Sequence, residues 1–79
     1  MKTKDLTQLS EGESGVVSGI HGGYDLACRL ESMGIRAGKK VTKVSTQFMR
    51  GPITVKVDQG QVAMGYGMAK KILMETENE

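Results

Sequence analysis

A chain of 79 residues with 38% hydrophobic and 25% charged content and a net charge of +2 bounds one small domain, near the size at which only about 60–65% of the unfolded surface is buried. No apolar run approaches the ~18 residues of a membrane span and no basic-then-apolar leader precedes the first strand, so the chain is expected in the cytoplasm. The single cysteine, Cys28, excludes an internal disulfide, and no Cys/His spacing fits a zinc module.

In chain order, Met1 to Lys4 reads as a polar lead-in, and Leu6 and Leu9 as an apolar staple closing one end of the domain. Gly12 to Ile20 has a β-branched centre bounded by glycines and is predicted as a strand. After the loop "HGG", Leu26, Leu30 and Met33 recur at i, i+4 and i+7, an apolar stripe of helical period. Arg29, Glu31 and Ser32 lie beside or behind that stripe, and Cys28 lies opposite it, near Tyr24. Gly34 is the residue expected to end the helix in the left-handed conformation, with Ile35 as its apolar follower. Gly38 then turns the chain into the next strand.

Val41 to Thr46 is the second predicted strand, followed by the loop "QFMRG". Ile53, Val55 and Val57 alternate with Thr54, Lys56 and Asp58, the clearest strand pattern in the chain. Gly51 and Pro52 mark its entrance, where a proline costs no ladder hydrogen bond. A turn at "DQG" leads to a fourth strand, Gln61 to Met64, then to a single helical turn in "YGMAKKI" and a last strand, Ile72 to Met74. Residues 75–79 read as a charged tail that does not pack. The expected fold is mainly β, one domain with its core in residues 6–74: five short strands with a helix inserted after the first. A sheet this small has to hide its edges, so an SH3-like barrel with the helix plugging one mouth is the economical solution.

Four stretches in order, "LTQLSEGESGVV", "RLESMGIRAGKKV", "FMRGPITVKV" and "VAMGYGMAKKI", resemble the FeoA family, small cytoplasmic proteins of bacterial ferrous-iron uptake. The likeness runs from Leu6 to Met74. Two positions depart from it: Ala37 stands where a proline commonly precedes the glycine, and Lys43 occupies a strand position where an apolar residue is more usual. The resemblance implies an SH3-like barrel with a helical insertion. It also implies a non-catalytic accessory role whose partner is the cytoplasmic part of the FeoB membrane transporter, which carries a GTP-binding domain. The implied location is cytoplasmic, extending to the inner face of the membrane.

The residues themselves carry no nucleotide chemistry. "GYGMAKK" lacks the GxxxxGK[ST] spacing that wraps a phosphate, and "HGG" has no accompanying GxSxG nucleophile turn. The acids form no recognisable acid/base pair, so neither catalysis nor a cofactor is expected. His21, Asp25 and Cys28 fall within eight residues but mix hard and soft donors and lack a fourth, so no metal site is expected. Met33, Met64 and Met74 read as core filler, and Met49 as an adaptable loop contact.

Charge is distributed unevenly. Residues 5–31 hold five acids and one base, a net of −4, whereas residues 36–71 hold eight bases and one acid, a net of +7. Lys39, Lys40, Lys43, Arg50, Lys56 and Lys70 are expected to form a basic side facing an acidic protein surface or anionic lipid headgroups. The candidate partner-binding residues are Phe48, Met49 and Arg50 at a loop tip, Tyr24 and Cys28 on the helix, and Lys43 and Lys56 among the bases. A nucleic-acid-binding barrel is the alternative, but Tyr24, Phe48 and Tyr66 are the only aromatics and build no stacking platform. The same shortage counts against a proline-peptide reader. A stand-alone relative of the SH3-like domain of metal-dependent repressors is the remaining alternative. Oligomeric state is left open.

Overall fold

Residues 2–46, 51–58 and 60–76 are described by a computed structural model and contain six strands. These are β1 (Lys2–Asp5), β2 (Ser14–Ile20), β3 (Lys40–Thr46), β4 (Ile53–Val57), β5 (Gly60–Met64) and β6 (Ile72–Thr76). All pair antiparallel in one sheet of order β1-β6-β2-β3-β4-β5. The helix α1 (Tyr24–Ser32) joins β2 to β3, and the short α2 (Tyr66–Ala69) joins β5 to β6. The described residues extend 29 × 27 × 24 Å, and β2 to β6 turn their buried residues into one cluster that also takes in Leu6, Leu30 and Ala69, so the sheet curves around a shared core.

The expected five strands are present, and a sixth is added. Met1 to Lys4 is expected as a polar lead-in, yet Lys2–Asp5 forms a strand beside β6 with Lys4 opposite Met74. The helix accordingly follows the second strand. β6 also runs to Thr76, two residues into the expected tail, and Thr76 is buried. The staple residues Leu6 and Leu9 are both buried. Between them a 3-10 helix (Leu6–Gln8) is capped by Asp5, whose carboxylate accepts from Thr7 N at 2.9 Å while Asp5 N donates to the Gln8 side chain at 2.8 Å.

The core holds Leu6, Leu9, Val17, Leu30, Ile35, Val41, Ile53, Val55, Val57, Met64, Ala69, Ile72 and Met74. Leu30 is the fully buried residue of the helical stripe, and Leu26 and Met33 pack partly against the same cluster. α1 ends as its sequence requires. Gly34 takes φ +90°, Gly34 N donates to Glu31 O at 2.9 Å and Ile35 N to Leu30 O at 2.9 Å, the paired bonds of a Schellman motif. Leu30 and Ile35, the apolar pair that such a cap brings together, are both in the core. Gly38, at φ +91°, sits third in a turn closed by Lys39 N donating to Arg36 O at 3.1 Å. A positive φ there is the type II pattern. Pro52 stands exposed immediately before β4 and costs the ladder nothing.

Candidate interaction surface

α1 projects one face away from the core. With Leu26, Leu30 and Met33 turned inward, Tyr24, Ala27, Cys28 and Glu31 fall at i, i+3, i+4 and i+7 on a second stripe. This stripe forms one wall of a groove of about 370 Å³, whose other side comes from Ile20 in β2 and from Arg36 beyond the helix. Tyr24, the first residue of α1, is 83% exposed and stands in that wall. Cys28 is an exposed free thiol. Glu31 and Arg36 set opposite charges in the same groove. The structure thus brings Tyr24 and Cys28 together as expected, and adds Ala27, Glu31, Ile20 and Arg36 to them.

A second surface lies on the outer face of the sheet. Strand parity turns Val41, Val55 and Val57 inward and leaves Lys40, Thr42 and Lys56 outside. Thr42 and Lys56 are cross-strand partners. With Asp58 they line a shallow depression of about 280 Å³. Asp58 is held by Lys39 Nζ at 3.0 Å, and Ser14 and Thr42 share a hydroxyl–hydroxyl bond of 2.7 Å. Lys70 belongs instead to the turn after α2.

Lys43 is not part of either surface, which corrects its expected place on the basic side. It follows Val41 by two in β3, so its side chain points inward and is only 2% exposed. Its Nζ donates to Leu9 O at 2.7 Å and Thr7 O at 3.0 Å, tying the 3-10 helix to the sheet. Its backbone completes the clamp: Gly12 N donates to Lys43 O at 2.7 Å and Lys43 N to Glu13 O at 3.0 Å. Burial lowers the Lys43 pKa, and the charges of Asp5, Glu11 and Glu13 act in the opposite direction. After Lys43 the register with β4 shifts at Val44, a bulge that leaves Val44 exposed. Phe48, Met49 and Arg50 lie outside the described residues.

Among the described residues no three of His, Cys, Asp and Glu stand close enough to share a metal ion. Among the same residues no helix is long and apolar enough to cross a membrane.

Comparison with known proteins places this geometry. A proposed Fe(2+) transport protein A of Methanocaldococcus jannaschii is 37% identical over 70 residues, covering 89% of this chain and 83% of that protein. The crystal structure of an iron uptake regulatory protein, FeoA, superposes with a TM-score of 0.86 at 27% identity, covering 95% of this chain and 97% of the other. A manganese-dependent transcriptional repressor matches with a TM-score of 0.85 at 21% identity, covering 94% of this chain but 41% of the repressor. That likeness is one of fold, and it joins the rolled sheet to the SH3-like domains of such repressors. The sequence model of the FeoA domain matches residues 4–76, which takes in both helices and every strand but the first half of β1, and the chain belongs to the FeoA family.

Proposed function

We propose that this protein is a non-catalytic accessory protein of ferrous-iron uptake, acting in the cytoplasm by binding the cytoplasmic part of an FeoB-type transporter. Fe(2+) is then the transporter's cargo and not a resident of this chain. The name of the Methanocaldococcus relative, a proposed Fe(2+) transport protein A, supports the iron assignment. The observation that carries the binding role is Tyr24, a large aromatic 83% exposed at a groove that it lines with Ala27 on one wall and that Ile20 lines on the other. Tyrosine combines wide contact area with a polar tip and is enriched among residues that dominate binding energy.

The test is titration of the purified cytoplasmic part of the transporter with wild-type chain and Tyr24→Ala. The variant is expected to bind about 2 kcal/mol more weakly with an unchanged melting midpoint, because removing an exposed side chain costs at most about 0.5 kcal/mol of stability. Equal affinity of the two chains would place the contact elsewhere.

A further inference from the structure

The two ends of the sheet are finished differently. β1, with the sequence KTKD, carries charge along its length, a common guard against another chain adding to a free edge. β5 at the opposite end, GQVAM, has no charge and no proline. Its five pairs with β4 run without the register shifts seen between β2 and β6 and between β3 and β4.

The hairpin determines which backbone groups β5 leaves over. Val57 and Gly60 close a two-residue turn, and such a closing pair is a hydrogen-bonded one. By alternation Val55 with Val62 and Ile53 with Met64 are bonded too, so the N–H and C=O groups of Gln61 and Ala63 point away from β4. Both residues are exposed, and no backbone hydrogen bond from another described element reaches them.

The surrounding charge selects what fits there. Lys56 lies directly opposite Gln61 on the outer face, with Lys40 beside it in the same depression. The acid of that depression, Asp58, is engaged by Lys39. We propose that β5 accepts an extended segment of a partner protein as a seventh strand, with acidic side chains on the outer face alternating with apolar ones on the inner face. Backbone pairing at Gln61 and Ala63 supplies the affinity, as in other strand-addition complexes. Lys56, on the strand next to β5, selects the acids, and the inner side chains continue the row of Val62 and Met64. A second copy of this chain is a poorer occupant, because edge-to-edge pairing brings together two stretches that each carry a net +7 over residues 36–71.

The experiment is residue-resolved hydrogen exchange on the full chain, alone and with a synthetic ten-residue peptide of alternating valine and glutamate. The Gln61 and Ala63 amides should exchange freely in the chain alone and slow at least tenfold at millimolar peptide, whereas a valine–lysine peptide should leave them unchanged. Ala63→Pro removes only an N–H that faces away from β4, a tolerated position for proline, and should abolish protection of Gln61. Lys56→Glu, an exposed substitution, should weaken peptide binding at least fivefold without loss of fold. Absence of protection, equal protection by both peptides, protection by anionic phosphatidylglycerol vesicles instead, or concentration-dependent protection of the chain alone would each overturn the proposal.

Discussion

Lys43 shows how one side chain can hold two segments together while resisting its own ionisation. Its ammonium is buried against the Thr7 and Leu9 carbonyls, and desolvation brings its pKa below the ordinary 10.5, partly countered by Asp5, Glu11 and Glu13. Between the lowered native value and 10.5, the unfolded chain binds more protons than the native one, so the free energy of unfolding rises with pH across that interval. Urea melts of wild type and Lys43→Met from pH 7.5 upward are expected to show the difference moving in favour of wild type as the solution becomes more alkaline. A difference that stays flat to about pH 10.4, the unperturbed lysine value, would mean that burial does not discourage the charge.

At the scale of elements, α1 is held by one deeply buried leucine and a well-formed stop. Leu30 has no exposed surface, and Leu30→Ala is expected to cost about 2–4 kcal/mol in urea melts. A loss below about 0.5 kcal/mol, the size of an ordinary surface change, would remove the helix from the core. The turn after α1 is under-stiffened by comparison. Ala37 occupies the second position of a turn with Gly38 at φ +91°, where proline is pre-shaped for the type II form, and Ala37 is exposed. Ala37→Pro should therefore raise stability by about 0.4–1 kcal/mol through the unfolded state; a lower urea midpoint would show that Arg36 or Ala37 has the wrong backbone conformation for it.

These elements were legible because their signals are local. The stripe Leu26–Leu30–Met33, the stop at Gly34 and the alternation of Ile53, Val55 and Val57 each lie within a few residues. β1 was not, since KTKD offers no apolar alternation and finds its partner some 70 residues away in β6. Lys43 was misplaced because residue type suggests the surface, whereas parity with Val41 decides the direction. On the candidate surface, Tyr24 and Cys28 were readable as one helical face. The opposing wall at Ile20 and Arg36 exists only through tertiary packing.

For the molecule as a whole, the expectation is contact without chemistry. The purified chain is predicted neither to hydrolyse GTP nor to bind Fe(2+) stoichiometrically, because its sequence has no GxxxxGK[ST] loop and no three of His, Cys, Asp and Glu cluster among the described residues. Calorimetry with ferrous iron under anaerobic conditions tests the second half, and stoichiometric uptake lost in Cys28→Ser would refute it. Phosphate release from GTP above the level of buffer would refute the first.

The position of β6 between β1 and β2 has a consequence for how the chain is made. Strands β2 to β5 can pair in order as they leave the ribosome, each with a neighbour already present, but β1 is synthesised first and has to wait for β6. Until residues 72–76 emerge, β1 lacks its partner and β2 has an uncovered edge. Such a nascent chain pairs four of the six strands, with the edge of β2 open in addition to that of β5, a form prone to wrong pairing. Completion of the fold thus requires β6 to pair with both β1 and β2, and a chain that stops short of Ile72 leaves both strands without that partner.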